Sequence, residues 1–291
     1  MLTPIVQALQ ALAPKVYQAI KQGDTHYTAH KNPTADLQLA VDVAVDQLIF
    51  DALMQVPSIG GVMSEERQEA QYKEQGDFLI AFDPLDGSSV VGANFLVGSI
   101  FGVYARPALG FAEPNMAHHI QMGAYILYGA KLELVVASTQ GVVHEVFDEG
   151  SHAWHSKKCF ELKDKGKNIA PGGSWQHFSP DYVEFLMSFF KQGYRLRYSG
   201  SMVADVHHLL SKEGGLFCYP ATQDAPLGKL RKLFEVYPLA FVVEKAGGLS
   251  FDGVQNILNT PLNSLHDKSP CFLGSKEEME ALKQWMRLNK N

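Results

Sequence analysis

Cysteine is scarce: three residues, Cys159, Cys218 and Cys271, stand far apart in 291 and make no CxxC or zinc-ligand spacing. This excludes a disulfide framework and a cysteine-built metal knuckle, and it suits a reducing compartment. An excess of positive charge is missing too. The 25 Lys and Arg against 31 Asp and Glu leave a formal charge of −6, so there is no basic stripe of the kind a general nucleic-acid binder uses to release counterions. No apolar run approaches the roughly 20 residues that cross a bilayer. The opening residues lack a basic start followed by an apolar block, and no Arg- and Ser-rich leader precedes them. Neither repeats nor low-complexity segments occur. These absences predict a cytoplasmic protein with no nucleic acid and no membrane among its partners.

What is present suits a large core: 46% of residues are hydrophobic and 19% charged. At this length two lobes are expected, and composition turns polar, Lys-rich and Gly-rich over 151–175. We therefore divide the chain at 1–150 and 151–291, with that polar stretch as the connection. Ile5, Leu9, Leu12 and Val16 recur at helical spacing in the first segment. A loop is expected over 23–33, then a helix from Leu37 to Leu53 carrying Asp42 and Asp46 one turn apart. Apolar runs at Val62–Met63, Phe78–Phe82, Ser99–Tyr104, Ala124–Tyr128, Leu132–Ala137, Val142–Phe147 and Leu216–Tyr219 read as strands. Helices are expected over Asp181–Lys191, Ala204–Ser211 and Lys229–Lys245. A last one, Glu277–Arg287, would have Ser275 and Glu278 as a capping box. Helices and strands alternate in both halves, so the class is α/β.

The stretch Phe78-Leu-Ile-Ala-Phe-Asp83-Pro84-Leu85-Asp86-Gly87-Ser88-Ser89 carries the chemistry. A strand runs into two carboxylates separated by a proline turn, then into a glycine and two hydroxyls at an expected helix start, where free N–H groups would accept a phosphate. Glu65 and Glu66 end a second apolar run just upstream. Four acids so close are costly unless some are protonated or a cation neutralises them, and hard divalent cations take carboxylate oxygens while keeping water and phosphate as further ligands. Farther along, Gly228-Lys229-Leu-Arg231 opens a basic turn with Arg231 and Glu235 at i, i+4. That pair suits either a phosphate and metal site or an exposed salt bridge. Arg195, Arg197, Tyr198 and Tyr219 offer a guanidinium fork and aromatic faces suited to a phosphorylated sugar. The histidines show no metal-ligand pattern and are assigned to helix faces and loops.

On these motifs, together with Gly98-Ser-Ile-Phe-Gly102, Arg197-Tyr-Ser-Gly-Ser-Met-Val-Ala-Asp205 and Glu235-Val-Tyr-Pro-Leu-Ala240, the chain resembles the class I fructose-1,6-bisphosphatase and sedoheptulose-1,7-bisphosphatase family. That family lies within the inositol monophosphatase superfamily. The resemblance implies a layered α-β-α-β-α sandwich and a Mg²⁺-dependent phosphoric monoester hydrolase, with two or more ions per site and Mn²⁺ as a substitute. It implies that Glu65, Glu66, Asp83, Asp86, Glu235 and the carbonyl of Leu85 hold metal, and that Asp42 and Glu66 position and deprotonate the attacking water. Asp86, Gly87, Ser88, Ser89 and Arg231 would bind the 1-phosphate end of a sugar bisphosphate. Tyr198, Met202, Tyr219 and Lys229 would contact the sugar and distal phosphate, and Arg197 would reach a neighbouring subunit of a homo-oligomer.

Departures from the family pattern bear on specificity. Ala170-Pro-Gly-Gly-Ser-Trp175 stands where an Asn and a Tyr usually reach the distal phosphate. Asp77-Phe78 and Ala105 replace the Lys-Tyr pair and Arg of AMP-inhibited members, so AMP inhibition of the usual kind is not expected. Ser88–Phe95 is closer to the sedoheptulose enzymes and Ser201–Asp205 to the fructose ones, which leaves the sugar length open.

Overall fold

A computed structural model describes residues 2–24, 26–31 and 37–288. Helix α1 (Thr3–Gln22) and helix α2 (Ala40–Met54) pack together through Ile5, Leu9 and Val16 of one and Val45, Ile49 and Leu53 of the other, all fully buried. Side chains of this size contribute about 1.5–3 kcal/mol each when fully buried. Strands β1 (Tyr27–Lys31) and β2 (Leu37–Leu39) form a small antiparallel ribbon before α2.

Eight strands make the large sheet: β3 (Ile59–Ser64), β4 (Gln71–Tyr72), β5 (Phe78–Asp86), β6 (Val97–Ala105), β7 (Ile120–Tyr128), β8 (Leu132–Ser138), β9 (Gly141–Asp148) and β10 (Ala153–Cys159). Their order is β10-β9-β8-β7-β6-β5-β3-β4, and only β3 and β5 run parallel. The period-2 rule decides which layer each side chain joins. Phe78, Ile80 and Phe82 of β5 face the α1–α2 layer, whereas Leu79 and Ala81 face the opposite core.

Beyond a short helix α3 (Ser88–Val91) and that sheet, the second half carries α4 (Pro180–Lys191), α5 (Met202–Ser211), α6 (Tyr237–Lys245) and α7 (Lys276–Leu288). It also carries β11 (Asn168–Pro171), β12 (Arg195–Leu196), β13 (Leu216–Tyr219), β14 (Leu230–Arg231), β15 (Leu249–Phe251), β16 (Lys268–Ser269) and β17 (Cys271–Gly274). Five of these strands form a sheet in the order β12-β11-β13-β17-β15, and β14 pairs with β16. Helices α5 and α6 share one core with the large sheet and with Phe217 and Leu273 of the small one. Helices α4 and α7 cover the other face of the small sheet through Phe185, Leu186, Met279 and Leu282. The layers are therefore α-β-α-β-α, as the resemblance implied.

Close approach of α6 to the large sheet depends on a glycine pair. Gly102 of β6 and Gly123 of β7 face each other in register. A Cβ on Gly102 would lie 2.9 Å from Pro238 Cγ, and one on Gly123 would lie 2.5 Å from the Pro238 carbonyl oxygen. Seating Pro238 in this notch carries the preceding turn, with Glu235, to the edge of the sheet.

Several local expectations are corrected. The helix expected over Lys229–Lys245 is three elements: the strand β14, a π turn over Lys232–Val236, and α6. Pro238 has no N–H to return to the carbonyl of Phe234, and Tyr104 Oη donates to the carbonyl of Leu233 at 3.0 Å. The turn widens accordingly, so Arg231 and Glu235 do not share a regular helical face. The helix expected from Leu37 starts at Ala40, where the Leu39 N–H donates to Asp42 Oδ2 at 2.9 Å. The polar stretch 151–175 holds strands β10 and β11. The loop expected over 23–33 is partly strand β1, with Thr25, Asn32 and Pro33 lying outside the described residues. No capping box forms at α7: Ser275 Oγ accepts from Gly215 N, and Glu278 accepts from Gly166 N and Tyr194 Oη. One histidine leaves its assigned place, since His144 lies on a strand, while His207 keeps to a helix. His144 on β9 and His207 on α5 both meet Glu133 Oε2, at 3.3 and 3.1 Å, in a half-buried cluster.

Candidate active site

Strands β3 and β5 are parallel neighbours, so their carboxyl ends leave the sheet on the same edge. This sets Glu65 beside Asp83 and Asp86, in the crevice position that open α/β sheets use for ligands. Asp83 and Asp86 both remain in β5, where a three-residue spacing would normally put them on opposite faces. A bulge solves this: Asp83 pairs with Ile100 and Asp86 with Gly98, so β5 spends one residue more than β6 over the interval. The extra residue turns both carboxylates to one side. The proline turn expected here is therefore a strand bulge, held by Ser99 Oγ donating to the Pro84 carbonyl at 2.6 Å and by Leu85 N donating to Asp83 Oδ1 at 2.9 Å.

Gly87 follows with φ +84°, in the left-handed region that favours glycine. A Cβ there would lie 2.5 Å from Ser201 Cβ, so the turn into α3 is packed directly against the start of α5. From the second half, the π turn delivers Glu235, whose Oε2 accepts from Arg231 N at 2.6 Å, and the Arg231 guanidinium pairs with Glu65. One carboxylate oxygen from each of Asp83, Asp86 and Glu235 lies within 4.8 Å of the other two, close enough to hold one metal ion.

A cavity of about 380 Å³ opens over this cluster. Its walls include Asp42, Glu65, Glu66, Asp83, Leu85, Asp86 and Glu235 on the acidic side, with Gly87, Ser88, Ser89 and Arg231 beside them. Tyr198, Met202, Tyr219 and Lys229 line its far side. Gly200, Phe217 and Leu230 complete it without having been singled out in the sequence. Arg195 and Arg197 are the exceptions among the sequence-derived residues: both are exposed outside this cavity, and Arg197 donates to the Leu196 carbonyl at 2.7 Å.

The acids are held against their chemistry. Burial pushes the Asp42 carboxyl up to about 7, helped by the Glu66 charge and opposed by the Leu39 N–H. Burial likewise pushes Glu235 up to about 7, opposed by Arg231. Burial drives Glu65 well above the usual carboxylate range, with the Glu235, Glu66 and Asp86 charges adding to it and Arg231 opposing, and burial drives Asp83 up likewise, followed by the charges of Glu65, Asp86 and Glu235. Glu65 Oε2 is buried with no hydrogen-bond partner. A divalent cation fits this donor set, since it would supply the missing partner and the missing positive charge together. At the far side burial pushes the Tyr198 hydroxyl up, opposed by the neighbouring Gly173 backbone, and burial pushes Tyr219 up to about 12.

Residues 1–158 match the family described as "Fructose-1-6-bisphosphatase, N-terminal domain", and residues 162–287 match its C-terminal domain. The class 1 fructose-1,6-bisphosphatase of Helicobacter hepaticus is 42% identical over 286 residues, covering 98% of this chain and 99% of that protein. That of Campylobacter hominis is 42% identical over 96% of this chain and 97% of its own length. Among solved structures, the holo form of Leishmania major fructose-1,6-bisphosphatase superposes with a TM-score of 0.90 at 29% identity, covering 98% of this chain and 94% of that one. A Toxoplasma gondii protein to which sedoheptulose-1,7 bisphosphatase activity has been ascribed gives 0.89 at 25% identity, covering 99% and 94%. The chain belongs to the fructose-1,6-bisphosphatase family, and with it to the phosphoric monoester hydrolases.

Proposed function

We propose that the chain is a Mg²⁺-dependent sugar bisphosphatase that removes the 1-phosphate of fructose 1,6-bisphosphate, leaving fructose 6-phosphate and phosphate. The observation that carries this is the convergence of Glu65, Asp83, Asp86 and Glu235 beside Gly87, Ser88, Ser89 and Arg231 in one cavity. Acids for a cation and donors for a phosphoryl group stand side by side there. When bound, such a cation supplies charge neutralisation for the transferring phosphoryl group and acidifies water.

In this reading Glu65, Asp83, Asp86, Glu235 and the Leu85 carbonyl hold metal, joined by Glu66 where a second ion binds. Arg231, the Ser88 and Ser89 hydroxyls and the turn at Gly87 hold the 1-phosphate in line for displacement, a reaction in which positioning supplies most of the catalysis. Asp42, pushed up to about 7 by burial, suits a group that takes a proton from water near neutral pH, and Glu66 orients that water. Met202, Tyr198 and Tyr219 face the sugar, with Lys229 at its distal phosphate. The lobe 1–150 supplies most metal ligands, and 151–291 supplies the sugar site and Glu235. Arg197, pointing away from its own cavity, is read as serving a neighbouring subunit of a homo-oligomer. We place this activity in cytoplasmic carbohydrate metabolism, of the gluconeogenic kind.

The likeness to the Toxoplasma gondii protein keeps sedoheptulose 1,7-bisphosphate as a second substrate. One experiment tests the whole reading: phosphate release from fructose 1,6-bisphosphate, sedoheptulose 1,7-bisphosphate and inositol monophosphate, with Mg²⁺ and then with a chelator. Release from either bisphosphate that stops on chelation is expected. Preference for the monophosphate, or turnover indifferent to chelation, would overturn it.

A further inference from the structure

Asp86 is gripped from behind by a residue outside the cavity. Ser201 Oγ donates to Asp86 Oδ2 at 2.6 Å, and Val203 N donates to the same oxygen at 2.8 Å. Met202 N reaches Oδ1 only at 3.3 Å. Ser201 is fully buried and lies 115 residues from Asp86 in sequence. Its extended backbone is set by the loop before it, where both oxygens of Asp205 accept from Ser199 N, at 2.9 and 3.2 Å. The Gly87 turn closes over the same serine.

We infer that Ser201 is a positioning residue: by occupying Asp86 Oδ2 it leaves Oδ1 as the oxygen presented to the cation, so that Asp86 binds through one oxygen in a fixed orientation. The inference rests on the metal reading above. A carboxylate free to rotate would offer either or both oxygens and would lose orientation entropy on binding. Loss of a group that orients a metal ligand typically costs about 10–100-fold in metal affinity.

Ser201 also caps α5, with Ala204 N donating to its Oγ at 3.4 Å, so a positioning role must be separated from a capping one. Glycine is nearly as good an N-cap as serine, whereas alanine is clearly worse and lowers helix stability. Ser201→Gly and Ser201→Ala should therefore differ in melting temperature yet lose the same metal affinity, about 10–100-fold. Ser179→Ala, which removes the cap of α4 where Tyr182 N donates to Ser179 Oγ at 3.2 Å, should melt lower with metal affinity unchanged.

The measurement is Mn²⁺ binding to the full-length protein without substrate, followed by the electron paramagnetic resonance of free Mn²⁺ and by calorimetry. Metal-saturated turnover is measured alongside and should recover most of the wild-type kcat. Wild-type binding retained in Ser201→Gly would overturn the inference and leave the metal reading intact, as would an affinity loss that tracks melting temperature across the three variants. A wild-type protein that binds no Mn²⁺ would overturn both.

Discussion

Gly87→Ala isolates how much the active-site turn depends on its backbone. At φ +84° an alanine carries the left-handed penalty of roughly 1–2 kcal/mol. Its Cβ would also sit 2.5 Å from Ser201 Cβ, and overpacking of that kind costs about 1–3 kcal/mol. Unfolding entropy runs near 2.1 cal/mol/K per residue, which for 291 residues makes each kcal/mol worth a little under 2 °C. The combined penalty of about 2–5 kcal/mol should lower the melting temperature by roughly 3–8 °C. Relief of the clash would push Ser201 and Asp86 apart, and a misplacement near 1 Å costs about 100-fold in turnover. Gly92→Ala is the matched control, only five positions on: its φ is −61° and nothing lies within 4 Å of an added Cβ. There the substitution should be neutral or stabilise by about 0.4–1 kcal/mol through the unfolded chain. Differential scanning calorimetry and phosphate release on both variants decide the matter. Equal melting temperatures with equal turnover would refute the reasoning.

Four further outcomes are expected. In the cation-free protein Asp42, Asp205 and Glu235 sit at about 7, with Glu65 and Asp83 well above the usual range. A folded value above the unfolded one stabilises at low pH and is lost as pH rises through it, so melting temperature in chelator should fall between about pH 5 and pH 8 while Mg²⁺ increasingly restores it; a Mg²⁺ increment that shrinks with rising pH counts against the site. Lys229→Met should raise KM for the bisphosphate about 10–100-fold, the worth of a charged hydrogen bond, with little change in kcat, and steady-state kinetics would expose the opposite split. Asp86→Asn should fold and release almost no phosphate, and mixing it with Arg197→Ala should restore turnover where each arginine serves its neighbour; mixtures as inactive as their parents would remove Arg197 from that role. AMP should not inhibit: the cavity lined by Thr3, Asp77, Phe78, Ala105 and Glu145 presents two carboxylates and no Lys or Arg, and inhibition by millimolar AMP would contradict this.

The acids were legible because they are contiguous. Asp83, Asp86 and Gly87 announce a cation and phosphate site within five residues, and parallel pairing of β3 with β5 needed only two apolar runs ending alike. The bulge between Asp83 and Asp86 was not legible, since it is defined by the partner strand β6. Lys229–Lys245 reads as one helix by propensity, and the one local warning was Pro238; the notch made by Gly102 and Gly123 is a tertiary fact. Ser275 and Glu278 satisfy a capping pattern by spacing, yet Gly215 and Gly166, brought in from elsewhere, claim both side chains. The contact of Ser201 with Asp86 has no local signature, although the serine lies within a quoted motif, because its hydroxyl donates to a carboxylate from the other half of the chain.

The same burial that makes the site chemically useful makes it unstable when empty of charge compensation. Glu65, Asp83, Asp86 and Glu235 are each at most 8% exposed, and Arg231 alone among the cavity-lining cations pairs directly with one of them. Two escapes exist: the carboxylates take up protons, or a cation enters. Whatever free energy the fold loses by keeping them ionised without metal is returned when metal binds, because both describe one thermodynamic cycle. Since Glu235 belongs to the second half and the other three to the first, that returned free energy is also a clamp between the two halves of the chain. Cation binding should therefore stiffen the contact of the π turn with β5 and β6, and slower amide exchange at Leu233–Glu235 on adding Mg²⁺, with no change in α4, is the result this argument requires.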